Sequence, residues 1–234
     1  MKALLLAAGF GTRLLPITEK IPKCLVKING ISMLEFWLRK LAIQQISYII
    51  VNTHHLADLV TREIKNSSIK KEIENFHEED LLGTAGTLLA NLSPELESEI
   101  LVVHCDNYSD ININDFLVAH SQRDPECVIT MAIFRTNNVQ MSGMVETDMN
   151  GIVQKFVEKP EHSELTMANA AIYLFDKRAI NEIRVKYLNA HDIAKDILPH
   201  FVGRIQAYEF AGFHMDMGTI ENLTLIRSRF EVLK

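Results

Sequence analysis

The stretch Lys2-Ala3-Leu4-Leu5-Leu6-Ala7-Ala8-Gly9-Phe10-Gly11-Thr12-Arg13 decides the fold. An apolar run that stops at a glycine-rich turn suits a strand buried on both faces of a parallel sheet. Glycines directly after that strand let the backbone approach a phosphate closely and turn N–H groups toward it. Arg13 can fork onto phosphate oxygens, and Lys23, behind Pro16 and Pro22, can add a point charge to another phosphate. A dinucleotide-binding reading fails on Leu14, which stands where the third glycine of Gly-x-Gly-x-x-Gly belongs.

Outward from this turn the chain alternates strands with amphipathic helices. Ser32-Met33-Leu34-Glu35 reads as a capping box opening a helix to about Gln45. Ile46–Asn52 is a buried strand, His55 to about Lys65 a helix, Ile69–Phe76 a loosely alternating strand, Ala85 to about Asn91 a short helix and Glu99–His104 another buried strand. This grammar predicts an α/β fold, a doubly wound, mixed but mostly parallel sheet with helices on both faces. After Asp115 it changes to antiparallel strands: Cys127–Phe134, a hairpin from Met144 to Val157 turning at Asp148–Gly151, then Thr166–Phe175. A helix over His191–His200, a strand over Arg204–Phe210 and a helix from an N-cap at Thr219 to about Val232 complete the pattern. The expectation is one domain, with residues 1–115 as a nucleotide-binding half and 116–234 as a sugar-binding half completing the cleft. No hexapeptide repeat announces a C-terminal β-helix.

Of 234 residues, 47% are hydrophobic, enough for a sizeable core, and 24 Lys and Arg against 30 Asp and Glu leave a net charge of −6. That balance argues against a nucleic-acid partner, which needs a basic face, but allows a small anionic substrate. No run approaches the ~18 apolar residues of a membrane span, and Arg13 interrupts the N-terminal apolar run too early for a signal peptide. Cys24, Cys105 and Cys127 show no metal or redox spacing and read as free thiols of a cytoplasmic protein.

The run LAAGFGTRLLPITEKIPKCLVKI resembles the Gly-x-Gly-Thr-Arg…Pro-Lys signature of sugar-1-phosphate nucleotidyltransferases. Further motifs of that family follow in order along nearly the whole chain: Leu82-Gly83-Thr84-Ala85-Gly86, Val102-Val103-His104-Cys105-Asp106, Phe156-Val157-Glu158-Lys159-Pro160, Asn169-Ala170-Ala171-Ile172-Tyr173 and Asp216-Met217-Gly218-Thr219. The resemblance implies transfer of a nucleoside monophosphate from a nucleoside triphosphate to a sugar 1-phosphate, with pyrophosphate released. It implies nucleotide contacts at Leu6, Ala8, Gly9, Gly11, Thr12, Gly83, Thr84 and Ala85. Arg13 would hold the leaving pyrophosphate and Lys23 the α-phosphate. Gly143, Glu158, Lys159 and Asn169 would form the sugar 1-phosphate site.

Both reactants are anionic, so catalysis is mostly positioning and charge neutralisation. Asp106 follows a buried strand at its carboxyl end, where open α/β sheets place ligands. Asp216 lies in a glycine-containing turn before the last helix. Two carboxylates converging from distant parts of the chain suit an octahedral Mg²⁺ shared with phosphate oxygens. Without substrate they would repel, so Asn at either should leave the fold intact or stabilise it. Arg13 and Lys23 are expected outside the core. His54 and His55, adjacent at a strand–helix junction, fit capping or packing better than metal binding.

The chain also departs from its relatives. Ser142 precedes Gly143 where many have Tyr, Ala171 replaces a glycine and so narrows the space beside the sugar, and Phe213-His214 stands where an aromatic is common. The base stays open: GTP with a mannose- or heptose-type 1-phosphate fits best, with UTP or dTTP and a glucose- or amino-sugar 1-phosphate as alternatives. Rival readings are a cytidylyltransferase, against which the Gly-Thr-Ala-Gly and Glu-Lys-Pro motifs stand, and a catalytically silent nucleotide-sugar-binding or regulatory subunit, which would be expected to lose Arg13, Lys23 or an Asp. A monomer or homodimer is expected.

Overall fold

The computed structural model describes residues 1–92 and 99–231. Strand β1 (Lys2–Leu6) is the opening apolar run. A loop of three short 3-10 turns follows, then β2 (Lys27–Ile28) and β3 (Ile31–Ser32), paired antiparallel. Helix α1 (Met33–Leu41) begins at its expected cap, where Ser32 Oγ accepts the Glu35 N–H. The reciprocal half of the capping box is not made. The Glu35 carboxylate accepts instead from Arg39 at 2.7 Å and from Ser67 at 2.9 Å, because a guanidinium makes the stronger, charge-assisted bond.

Next come β4 (Tyr48–Thr53), α2 (Ala57–Asn66) and β5 (Glu72–His77), the last starting at Glu72 rather than Ile69. Helix α3 (Gly83–Ala90), β6 (Ile100–His104) and the short β7 (Asn107–Ser109) follow. Helix α4 (Ile113–Ser121) corrects the reading that helical grammar ends near Asp115. Its cap is Asn112, whose Oδ1 accepts from the Asn114 and Asp115 amides. Then β8 (Ile129–Arg135), β9 (Gly143–Thr147), β10 (Val153–Glu158) and β11 (Met167–Phe175) form the antiparallel run. The β9–β10 turn is fixed by Asp148, whose Oδ1 accepts from the Asn150 and Ile152 amides.

A second unforeseen helix, α5 (Lys177–Lys186), starts at Asp176, whose carboxylate accepts the Ala179 N–H. The helix expected over His191–His200 is instead one π-turn, Ile193–Ile197, running into a 3-10 turn, Leu198–Phe201. Pro199 lacks the N–H that a regular helix would need there. Strands β12 (Ile205–Glu209) and β13 (His214–Asp216) precede α6 (Ile220–Glu231). Thr219 caps α6 as expected, its Oγ1 accepting the Asn222 N–H; the predicted end at Val232 lies outside the described residues.

The chain forms two compact units. The first gathers Met1–Leu81, Val103–Asp110 and Phe213–Lys234; the second gathers Leu82–Val102 and Ile111–Gly212. In the first, β1, β4 and β5 are parallel, with Leu4 opposite Ile50 and Ile50 opposite Glu74. Leu4, Leu5, Trp37, Leu38 and Val51 are fully buried there. In the second, β8 lies between antiparallel β11 and parallel β12, while β9 pairs with β10 and β11. Phe116, Met131, Phe175 and Phe201 fill that core. Strand β6 is divided between the units. The fold is therefore the α/β architecture with a mixed, mostly parallel sheet that the sequence predicts. All three cysteines are free and buried. Among the described residues no helix is long and apolar enough to cross a membrane.

Candidate active site

The glycine-rich turn is tied down before it reaches any charged group. The Leu6 carbonyl accepts the Cys105 N–H at 2.9 Å, joining the exits of β1 and β6. The Ala7 N–H donates to Asn52 Oδ1 at 2.6 Å, and Asn52 donates onward to the buried Glu78 carboxylate at 2.8 Å. Gly11 takes φ 67°, and a Cβ there would lie 2.9 Å from Thr18 Cγ2 and 3.1 Å from Lys23 Cβ. Only glycine fits both that dihedral and that space. Gly9, by contrast, faces open space, and the neighbouring Phe10, Thr12 and Arg13 are exposed.

His54 and His55 take the packing role expected of them. His55 Nε2 bonds the Thr18 carbonyl at 3.2 Å, Thr18 Oγ1 donates to the Gly11 carbonyl, and the Phe10 ring meets His54 edge-on.

Four charges converge beyond this turn. Lys23 Nζ donates to Asp106 Oδ2 at 2.5 Å and to Asp216 Oδ1 at 3.1 Å. Arg13 Nη2 reaches the other Asp216 oxygen at 3.4 Å. The expectation that both cations stay outside the core holds for Arg13 but not for Lys23, whose side chain is only 9% exposed. Burial disfavours the Lys23 ammonium, yet the two carboxylates outweigh it and raise its pKa above that of an ordinary lysine. Desolvation likewise opposes ionisation of Asp106, and the Lys23 charge overcomes it and holds the carboxyl below its usual range. The anticipated repulsion between the two carboxylates is thus replaced by an ammonium bridge.

Backbone pairing explains how Asp216 arrives. Strand β13 lies antiparallel to β7, with Asp216 opposite Asn107, so Asp216 ends a short strand rather than sitting in the turn itself. The Met217 N–H donates to the Asp106 carbonyl at 2.9 Å, and Asn222 Nδ2 donates to the Asp216 carbonyl. Trp37, on the buried face of α1, donates its Nε1–H to the Asn107 carbonyl. Gly218 is a site residue that the sequence reading quoted without assigning a role. A Cβ there would collide with the Asp216 carboxylate and lie 2.7 Å from Arg13 Nη2. Burial pushes the His214 pKa down to about 3, so this ring beside Asp106 is neutral.

Two hard oxygen donors on either side of one cationic nitrogen make a place already shaped for a cation. Among the described residues no group of three or more His, Cys, Asp or Glu side chains is arranged to hold a metal. A pair of carboxylates fits Mg²⁺, which keeps waters and takes substrate phosphate as its remaining ligands.

The other predicted residues lie in the second unit. Gly83, at φ 75°, starts α3 against His191. Thr84 Oγ1 accepts the Ile193 N–H at 2.8 Å, and the Ala85 N–H donates to the His191 carbonyl at 3.0 Å. Gly143 sits opposite Glu158 in the β9–β10 pair, and a Cβ there would meet Glu158 Oε2 at 2.5 Å and the Phe156 ring at 2.9 Å. The glycine thus lets the Glu158 carboxylate lie flat across the strand. Burial raises the Glu158 pKa, against the pull of Lys159, whose ammonium stands 3.7 Å away. Asn169 is held internally: Nδ2 donates to Tyr173 Oη at 2.6 Å and Oδ1 accepts the Ala171 N–H at 2.9 Å. Ala171 takes φ 52° in the irregular stretch of β11, a left-handed conformation that glycine adopts most easily.

Comparison with known proteins gives the chain's family. A mannose-1-phosphate guanyltransferase beta-A of Xenopus laevis is 30% identical over 226 residues, which are 93% of this chain and 61% of that protein. The Drosophila melanogaster mannose-1-phosphate guanylyltransferase catalytic subunit beta is also 30% identical, over 93% of this chain and 59% of its own length. The chain therefore spans about three fifths of the curated relatives it matches. The crystal structure of HddC from Yersinia pseudotuberculosis, solved also as a complex with GMP-PN, superimposes with a TM-score of 0.81 at 23% identity. The match covers 98% of this chain and 99% of HddC, and it shows the shared fold. The family described as nucleotidyl transferase matches residues 2–231, and the chain belongs to it.

Proposed function

We propose that the protein transfers a nucleoside monophosphate from a nucleoside triphosphate to a sugar 1-phosphate, forming a nucleotide-sugar and pyrophosphate. The observation that carries this reading is the convergence of Asp106 and Asp216 on Lys23, with Arg13 from the glycine-rich turn beside them. A sugar-phosphate oxygen attacks the α-phosphorus in line, and the bond to the bridging oxygen of the β-phosphate breaks. The attacking phosphate is already ionised, so no general base is required.

The Lys23 ammonium neutralises the α-phosphate and Arg13 the leaving pyrophosphate, where single electrostatic donors commonly contribute about 10²–10³ in rate. Backbone N–H groups around Gly9, Gly11 and Thr12 cradle phosphate, with Leu6 and Ala8 beside the nucleotide, while Gly83, Thr84 and Ala85 shape the base and ribose site. Glu158 and Asn169 hold sugar hydroxyls beside Gly143, and Lys159 binds the sugar phosphate. Asp106 and Asp216 would hold Mg²⁺, which when bound supplies positive charge to the phosphate oxygens.

GTP with a mannose- or heptose-type 1-phosphate is the preferred pair, since the curated relatives at 30% identity are named as mannose-1-phosphate guanylyltransferases. Pyrophosphate release measured across a panel of nucleoside triphosphates and sugar 1-phosphates tests this. The expected result is turnover with one dominant pair; a preference for UTP would correct the base. No release with any pair would replace the enzyme with a nucleotide-sugar-binding subunit.

A further inference from the structure

The buried ammonium of Lys23 occupies the ground between Asp106 and Asp216 that a divalent cation would need. We infer that Lys23 is an internal counter-ion that closes the two-carboxylate site to free metal ions and opens it only when nucleotide phosphate draws the ammonium away. This inference rests on the nucleotidyltransferase reading of the same site and adds to it a rule of entry: metal and nucleotide arrive as one complex.

Three observations support it. Lys23 is held by packing as well as by charge, because its side chain is buried and its Cβ leaves no room for a side chain at Gly11, whose dihedral only glycine adopts easily. Its hydrogen-bonding partners are the two carboxylates, so a bare dication that displaced it would leave a buried ammonium without compensation. The group is also neutral as a set: Arg13 and Lys23 balance Asp106 and Asp216, and a dication entering alone would leave two positive charges in excess. A triphosphate changes both terms at once. It offers Lys23 an anionic oxygen and offers the metal the phosphate ligands that Mg²⁺ prefers. Coupling of this kind is reciprocal: nucleotide raises metal affinity by the factor by which metal raises nucleotide affinity.

The test uses Mn²⁺ as the probe, read by electron paramagnetic resonance of the nucleotide-free protein. The unaltered protein should hold little Mn²⁺, while Lys23→Gln should hold it at least about tenfold more tightly, within the usual range of coupling between sites. Lys23→Arg, which keeps the positive charge, should exclude Mn²⁺ as the parent does. Adding Asp216→Asn to Lys23→Gln should abolish the gained binding, which places it at this pair. Unchanged Mn²⁺ affinity in Lys23→Gln would overturn the inference.

Should that variant not fold, ¹⁵N-lysine NMR of the unaltered protein decides. The Lys23 Nζ resonance should ignore Mg²⁺ alone and shift when nucleotide and Mg²⁺ are added together. A shift with Mg²⁺ alone would overturn the inference. Failure of the functional reading looks different, because there pyrophosphate release is absent with every substrate pair while the Mn²⁺ results stand.

Discussion

In the first unit Arg13, Lys23, Asp106 and Asp216 satisfy one another by charge. In the second, Thr84, Ala85 and Asn169 are satisfied by neutral partners of the same unit, namely the Ile193 amide, the His191 carbonyl and the Tyr173 hydroxyl. The charged group must exchange partners when an anion binds. The neutral group is already set by backbone geometry and has little to rearrange. Glu158 is the exception among these site residues, a partly desolvated acid whose counter-charges are the Lys159 ammonium, 3.7 Å away, and Lys195.

The contrast is broken most directly at the carboxylates. Asp106→Asn or Asp216→Asn should cut pyrophosphate release by at least about 10²–10³, since the lost group faces developing charge. Either should also lower stability to urea by about 1–2 kcal/mol, the scale of a hydrogen bond to a charged group discounted for partial exposure. A gain in stability would restore the like-charge repulsion that the sequence alone suggests. The pH dependence has a definite sign. Asp106, with its pKa depressed, contributes stability above about pH 4 that is lost as pH falls through its folded value. Lys23, with its pKa raised, contributes below about pH 10 and loses its effect as pH climbs through its own folded value. The difference between the parent and Asp106→Asn in chemical denaturation should therefore be flat between these limits and shrink outside them.

Gly218→Ala sharpens the comparison without touching any charge. Its new methyl would push on the Asp216 carboxylate and the Arg13 guanidinium, and a displacement of about 1 Å can cost roughly 10² in turnover. Melting should change little; if kcat survives, the fine placement of Asp216 is unimportant. In the second unit Glu158→Gln should raise KM for the sugar 1-phosphate about tenfold, the loss of one charged contact. It should also stabilise the fold slightly at neutral pH. Because burial raises the Glu158 pKa, its ionisation weakens the folded state as pH rises through and above the ordinary carboxylate range. The advantage of Gln should accordingly vanish in acid. The smallest effect is expected from Ala171→Gly, which relieves a left-handed alanine at φ 52° and should gain about 0.5–1 kcal/mol in denaturation. A loss instead would mean that the methyl packs usefully.

The strands and the charged residues were legible because each carries a signal in its own neighbourhood. Leu4 and Leu5 sit in an apolar run, and Arg13 follows two glycines. Helices α4 and α5 carry ordinary caps at Asn112 and Asp176, but the antiparallel pattern of the neighbouring strands masks that signal in the sequence. The two strands of the β7–β13 ribbon are three residues each, too short to show a period, yet that ribbon delivers Asp216. Lys23 looked like a surface cation because nothing local announces its partners, which lie 83 and 193 positions away. The buried Asn52–Glu78 bond beneath the glycine-rich turn was invisible for the same reason.

That distance carries a consequence for folding. The second unit needs nothing beyond Gly212, whereas the first takes Asp216 from the segment that begins at Phe213. A chain ending at Gly212 holds Lys23 with one of its two acidic partners and β7 with an unpaired edge. Loop-closure entropy over so long a separation makes such pairings late events in folding, and an open edge invites other strands. A chain truncated after Gly212 should therefore keep a protease-resistant core built from the second unit, with the residues around Lys23 left unprotected.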